Sequence, residues 1–154
     1  MPTSLSEAST LSSISLLADA PSPATLQRHV RSLVISPRLE VRKPLLRVLE
    51  SLQVDVTCCS NRTEAEEVLS HLGFAVVFCD EHLPDGSYTD FIHANNFDQR
   101  IPRVIVATRA GEWDLYFEAT GKGAFDVIRS PWYYTDVEMA VIRAMHEEEA
   151  SRVA

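Results

Sequence analysis

The sequence predicts an α/β fold built on a doubly wound, five-stranded parallel sheet, and three observations lead to this class. Short apolar runs rich in β-branched and aromatic residues alternate, from Val30 onward, with longer amphipathic stretches. The apolar runs have the continuous hydrophobicity of strands buried on both faces of a sheet. The alternation gives right-handed βαβ crossovers, which place the strands parallel to one another.

Five strands and five helices follow from this pattern. The predicted strands are Ser32–Ile35, Val54–Cys59, Phe74–Cys79, Val104–Ala107 and Phe125–Ile128. The predicted helices cover residues 39–52, 61–72, 87–97, 111–121 and 133–149. In the first helix, proline is tolerated only in the first turn, so Pro44 predicts a start near Val41.

The second helix carries an N-terminal capping signal. Ser60 or Asn61 is expected to cap it, with Glu64 as the capping-box partner. Its inward-facing apolar residues are predicted to be Ala65, Val68, Leu69 and Leu72.

Composition divides the chain into a tail and one domain. Residues 1–27 are rich in Ser, Thr, Ala and Pro and predict a flexible tail, in which Leu11–Ala18 could instead form a short helix that docks on a partner. Residues 28–150 form the predicted domain, and 151–154 a C-terminal tail. Only a few residues follow the fifth helix, so we expect no fused output domain in this chain.

Charge and cysteine usage exclude several classes of function. The formal net charge of −8 argues against an electrostatic nucleic-acid binder and against docking on an anionic membrane. The chain has three cysteines, an odd number without framework spacing, which predicts buried reduced thiols in a cytoplasmic protein. We find neither a signal peptide nor an apolar run long enough to span a bilayer.

In a doubly wound sheet, ligands bind outside the carboxyl ends of the strands. The informative residues are therefore those that follow each strand: Ser36, Pro37, Ser60, Asp80, Thr108, Ser130 and Pro131.

Three of these strand ends resemble those of response-regulator receiver domains, with the flavodoxin-like (βα)5 fold. Residues 74–86 resemble the third strand and its loop, in which a buried strand ends in the phosphoacceptor Asp, followed four residues later by Pro. Residues 101–108 resemble the fourth strand, which ends in Thr or Ser, and residues 123–132 resemble the fifth strand and its turn. The resemblance covers about residues 29–148 in order.

The resemblance implies roles for two residues. Asp80 takes the phosphoacceptor position, where a carboxylate can form an acyl phosphate. The Thr108 hydroxyl would bind a phosphoryl oxygen and draw its helix inward, which makes a two-state element.

The chain departs from the family pattern at the metal site. The family usually carries two acidic residues after the first strand that hold magnesium, and here Ser36 and Pro37 stand there. Magnesium prefers carboxylate oxygens, so we expect no resident metal and at most weak magnesium binding. Glu40 or Glu81 could approach the site instead, but neither has the spacing of the family's metal ligands.

The phosphate contacts depart as well. Ser130 replaces the family's Lys, and Val127 fills the position of its aromatic switch residue. Arg109, which follows Thr108, either supplies the missing positive charge or simply covers the site.

Aromatic residues gather on the fourth helix and at the start of the fifth. In receivers the face of helix 4, strand 5 and helix 5 meets partners, and aromatics are enriched at interfaces. The expected interaction residues are Trp113, Tyr116, Trp132 and Tyr133, with the core as the alternative place for some of them. A homodimer through this face is one expectation.

Two functions are consistent with the sequence, and in neither of them is the protein an enzyme. The first is a receiver in a bacterial phosphorelay that takes a phosphoryl group from a histidine kinase or contacts another signalling protein. The second is a pseudo-receiver, an interaction module that works independently of phosphorylation. An enzyme is disfavoured because the sequence has no Gly-rich phosphate loop, nucleophile elbow or metal cluster.

Overall fold

A computed structural model of the chain describes residues 30–94, 102–109 and 113–153, with side chains except at 113–114 and 147–153. The predicted tail (1–27) with its candidate helix Leu11–Ala18 lies outside the described residues. So does the side chain of Trp113.

Five parallel strands form one sheet, and the predicted fold class is confirmed. The strands are β1 (Arg31–Ile35), β2 (Asp55–Cys59), β3 (Val76–Asp80), β4 (Arg103–Thr108) and β5 (Asp126–Arg129). Their order is β2-β1-β3-β4-β5, and every neighbouring pair is parallel. The order reverses between β1 and β3, so the carboxyl ends of these two strands flank the switch point at which such folds bind ligands.

A helix follows each of the five strands. The helices are α1 (Leu39–Ser51), α2 (Arg62–His71), α3 (Tyr88–Ala94), α4 (Trp113–Gly121) and α5 (Tyr134–Val153). A short antiparallel pair, His82–Leu83 with Gly86–Ser87, folds the loop between β3 and α3. No helix within the described ranges is long and apolar enough to cross a membrane.

The core follows the three central strands, but the prediction that all five are buried on both faces is wrong for the edges. β3 is buried at each position, whereas β2 and β5 are partly exposed because each has only one neighbouring strand. Cys58 on β2 is consequently exposed, which corrects the expectation of three buried thiols. Cys59 and Cys79 are buried, and all three cysteines are free.

α1 begins at Leu39, two residues before the predicted start. The Arg38 carbonyl accepts hydrogen bonds from the backbone N–H groups of Val41 and Arg42, each at 3.1 Å, and so initiates the helix earlier. Pro44 therefore lies inside the helix, past the first turn, where its missing N–H removes one backbone hydrogen bond.

The predicted N-terminal cap of α2 is confirmed, but the prediction that four of its apolar residues face inward is wrong for one of them. Asn61 Oδ1 accepts from the Glu64 N–H at 2.8 Å, and Glu64 Oε1 accepts from the Ser60 N–H at 2.8 Å. Leu72 is 42% exposed, contrary to the prediction. It follows the helix with an extended backbone, so its side chain leaves the helical stripe.

Candidate functional site

Asp80 ends β3, the central strand of the sheet, and is 1% exposed. Its neighbours in the sheet are β1 on one side and β4 on the other. A buried carboxylate must be paired or hydrogen-bonded, because desolvation of an isolated charge is strongly unfavourable. The partners of Asp80 therefore define what this site can do.

Arg38 binds Asp80 as a bidentate ion pair. Arg38 Nη2 donates to Asp80 Oδ1 at 2.8 Å, and Arg38 Nε donates to Oδ2 at 3.0 Å. The planar guanidinium matches the two carboxylate oxygens, an arrangement that gives strong and directional hydrogen bonds. The Arg38 side chain is 21% exposed, so the pair closes the pocket from its solvent side and neutralises the buried charge.

Two further donors complete the coordination of Asp80. Ser36 Oγ donates to Oδ2 at 2.7 Å and accepts from the Arg38 N–H at 3.1 Å. The His82 N–H donates to Oδ1 at 3.3 Å. Each carboxylate oxygen thus accepts two hydrogen bonds, which uses about all four lone-pair sites that a carboxylate offers.

Arg38 is not among the site residues predicted from the sequence, where Arg109 is the candidate for the missing positive charge. The side chain of Arg109 is exposed. Ser130 is partly exposed, and its backbone N–H donates to the Thr108 carbonyl at 2.8 Å. A buried aspartate requires a counter-charge, so a search for basic residues at the neighbouring strand end, just past β1, would have found Arg38.

The residues around Asp80 do not fit magnesium. Ser36 and Pro37 offer no carboxylate, and Arg38 occupies both Asp80 oxygens with a positive charge. Glu81 turns to Thr108, and Glu40 is exposed on α1. Within the part of the chain that the structure describes, no group of three or more His, Cys, Asp or Glu residues could hold a metal ion.

Thr108 is fixed by a second carboxylate. It ends β4, is 4% exposed, and its Oγ1 donates to Glu81 Oε1 at 2.7 Å. The Glu81 N–H also donates to the Ala107 carbonyl at 3.0 Å, so backbone and side chain both join Glu81 to the end of β4. Val127, at the aromatic switch position, is partly buried.

Cys79, next to Asp80, is not activated as a nucleophile. Burial, and secondarily the negative charge of Asp80, raise the pKa of its thiol far above the usual range. The thiolate is the reactive form, so Cys79 is inert at neutral pH.

Asp85 anchors the loop that follows β3 to the start of α2. Its carboxylate accepts from the backbone N–H groups of Arg62 and Thr63, at 2.8 and 3.0 Å, and from Thr63 Oγ1 at 2.8 Å. These hydrogen bonds, the one from the Arg62 N–H foremost, lower the pKa of Asp85 to about 2. The loop that carries His82 is therefore held at both ends.

The aromatic face predicted for partner binding is largely exposed. Tyr133 is 74% exposed and Tyr116 38%, whereas Trp132 is partly buried. Between α4, β5 and α5 lies an open groove of about 540 Å³, hereafter the α4–β5–α5 groove. Its lining combines apolar, aromatic and charged side chains: Tyr116, Asp126, Val127, Ile128, Arg129, Pro131, Thr135, Asp136, Met139 and Arg143.

No protein-family model matches the chain, and no curated protein matches it. Solved structures do. A response regulator receiver domain protein from Clostridium thermocellum is 24% identical, with a TM-score of 0.71 over 79% of this chain and 98% of that one. The signal receiver domain of an HD domain-containing protein from Pseudomonas fluorescens is 17% identical, with a TM-score of 0.73 over 81% and 93%. A chemotaxis response regulator of Vibrio cholerae is 15% identical, with a TM-score of 0.68 over 75% and 98%.

Proposed function

We propose, from the premise that this chain has the fold of response-regulator receiver domains, that it is a signalling module acting through protein contacts without phosphorylation of Asp80. The observation that carries the proposal is the bidentate pair between Arg38 and Asp80. It favours the pseudo-receiver among the two functions that the sequence left open.

The pocket lacks what phosphoryl transfer to an aspartate needs. That reaction depends mainly on positioning and on neutralisation of the charge that develops on the transferred group. Here the only cation bound to Asp80 among the described residues is Arg38, whose guanidinium is already used by the nucleophile itself. The acidic metal ligands are replaced by Ser36 and Pro37, and the phosphate-binding Lys by Ser130.

The contacts with partners are assigned to the α4–β5–α5 groove. Its lining includes two exposed side chains, Tyr116 on α4 and Met139 on α5, and the exposed Phe117 and Tyr133 are not part of that lining. Exposed aromatic and Met side chains beside charged residues are the composition of protein interfaces. The proposed partner is a histidine kinase, another signalling protein or a second copy of this chain. The proposed location of the protein is the cytoplasm.

The test is a direct attempt to modify Asp80. Wild-type protein is incubated with acetyl phosphate, and separately with beryllofluoride, with and without magnesium, and followed by intact mass and two-dimensional NMR spectra. We expect no phosphoryl adduct and no magnesium-dependent spectral change, both in wild type and in Asp80→Asn.

A magnesium-dependent adduct that is present in wild type and absent in Asp80→Asn would overturn the proposal and establish Asp80 as the phosphoacceptor of a phosphorelay. A receiver with a known competent site, treated in parallel, shows that the reagents are active.

A further inference from the structure

Two consecutive carboxylates at the end of β3 hold two different parts of the protein. Asp80 binds Arg38, which follows β1, and Glu81 binds Thr108, which ends β4. The two carboxylates thus reach to opposite sides of the central strand. The ion pair between Arg38 and Asp80 on the β1 side supports the proposed function. The hydrogen bond between Thr108 and Glu81 on the β4 side plays no role in that proposal.

The Thr108 hydroxyl depends on Glu81. Thr108 is 4% exposed, so its hydroxyl cannot exchange a lost protein partner for bulk water without a rearrangement. The Glu81 side chain is 28% exposed and accepts this hydrogen bond with a charged oxygen, which gives a short bond of 2.7 Å.

Thr108 also connects to the α4–β5–α5 groove. It pairs in register with Arg129 of β5, and its carbonyl accepts from the Ser130 N–H at 2.8 Å. Arg129 and Pro131 line the groove. A continuous path of hydrogen bonds therefore runs from Glu81 through Thr108 to the backbone at the end of β5.

We infer that Glu81 is a positioning residue for the α4–β5–α5 groove, because its carboxylate supplies permanently the anionic oxygen that holds the Thr108 hydroxyl. The groove is consequently kept in one conformation by a residue of the chain itself, with no added anionic group. This inference rests on the proposed function, since it describes how a partner surface stays fixed when Asp80 is never modified.

Hydrogen exchange and a double-mutant cycle test the inference. The variants are Glu81→Ala, Thr108→Val, the double variant, and the conservative Thr108→Ser and Glu81→Gln, which keep a hydroxyl and an acceptor oxygen. We expect Glu81→Ala and Thr108→Val each to raise amide exchange over residues 126–130 by about tenfold or more, as loss of a hydrogen bond to a charged group implies. The double variant should exchange no faster than either single variant, because both remove the same interaction.

Thr108→Ser is expected to exchange as wild type does, and Glu81→Gln to lie between wild type and Glu81→Ala. Amides of β1 should be unchanged in all variants, which separates a local effect on the groove from a general loss of stability. Single-variant effects confined to residues 80–83 and 107–108, or effects that add in the double variant, would overturn the inference.

The outcome is distinguishable from failure of the proposed function. An acetyl phosphate adduct on wild-type Asp80 refutes the proposed function whatever the exchange data show. Absence of an adduct together with unchanged exchange at residues 126–130 refutes only the role of Glu81.

Discussion

Replacing Arg38 with alanine leaves Asp80 buried with two of its four hydrogen bonds. Ser36 Oγ and the His82 N–H remain, but the one positive charge that the described residues place on the carboxylate is removed. Loss of one partner from a buried ion pair lowers the free energy of unfolding by about 3–5 kcal/mol. Because Arg38 is itself 21% exposed and two donors remain, we expect the lower end, about 3 kcal/mol.

The reverse change should be milder. In Asp80→Asn the amide keeps an acceptor oxygen and Arg38 can turn toward water, so we expect a loss of about 1 kcal/mol. Arg47→Ala, at an exposed arginine on α1, the helix that Arg38 precedes, is the matched control and should change stability by less than about 0.5 kcal/mol.

Urea unfolding followed by circular dichroism measures these differences. With a denaturant slope of roughly 1–3 kcal/mol per molar, Arg38→Ala should lower the midpoint by about 1–3 M. In the Arg38→Ala/Asp80→Asn double variant the losses should fall short of additivity by about 1–2 kcal/mol, because the unpaired charge is gone. An Arg38→Ala variant as stable as Arg47→Ala, or strict additivity, would refute the reasoning.

Two further predictions concern the loop after β3. The pKa of Asp85 lies at about 2, below its ordinary 3.8, so its hydrogen bonds to α2 stabilise the protein above about pH 4 and are lost as the pH falls toward 2. The difference in urea midpoint between wild type and Asp85→Asn should therefore shrink over that interval, and a pH-independent difference would contradict the assignment. Gly86 has φ +148°, and an added Cβ would lie 2.9 Å from Asp90 Oδ2, so Gly86→Ala should be destabilised by about 1–3 kcal/mol in the same assay. Gly121→Ala, where an added Cβ meets nothing within 4 Å, is the control, and equal losses in the two variants would argue against backbone strain at Gly86.

The sheet could be predicted from the sequence because its central strands are continuous apolar runs with no competing interpretation. The exposure of the edge strands was harder to predict, since β2 has the same composition as a buried strand although no strand pairs with its outer edge. Exposure of Cys58 depends on strand order, which apolar composition does not encode.

In the candidate site, too, some residues could be predicted from the sequence and others could not. The placement of Asp80 and Thr108 at strand ends follows from local pattern, and the replacement of the acidic pair by Ser36 and Pro37 is visible in the sequence itself. Arg38 and Glu81 were not assigned because their roles depend on side-chain direction across neighbouring strands. Each is one charged residue in a loop, where no periodicity indicates which way it points.

The saturated coordination of Asp80 also limits how this pocket can change through successive substitutions. An acidic residue at position 36, where Ser36 is fully buried, would place a second carboxylate against Asp80 while removing one of its donors. Replacing Arg38 first would leave Asp80 without its counter-charge. Either of these two single steps toward a metal-binding pocket therefore passes through a less stable protein, so that Ser36 and Arg38 would have to be exchanged together.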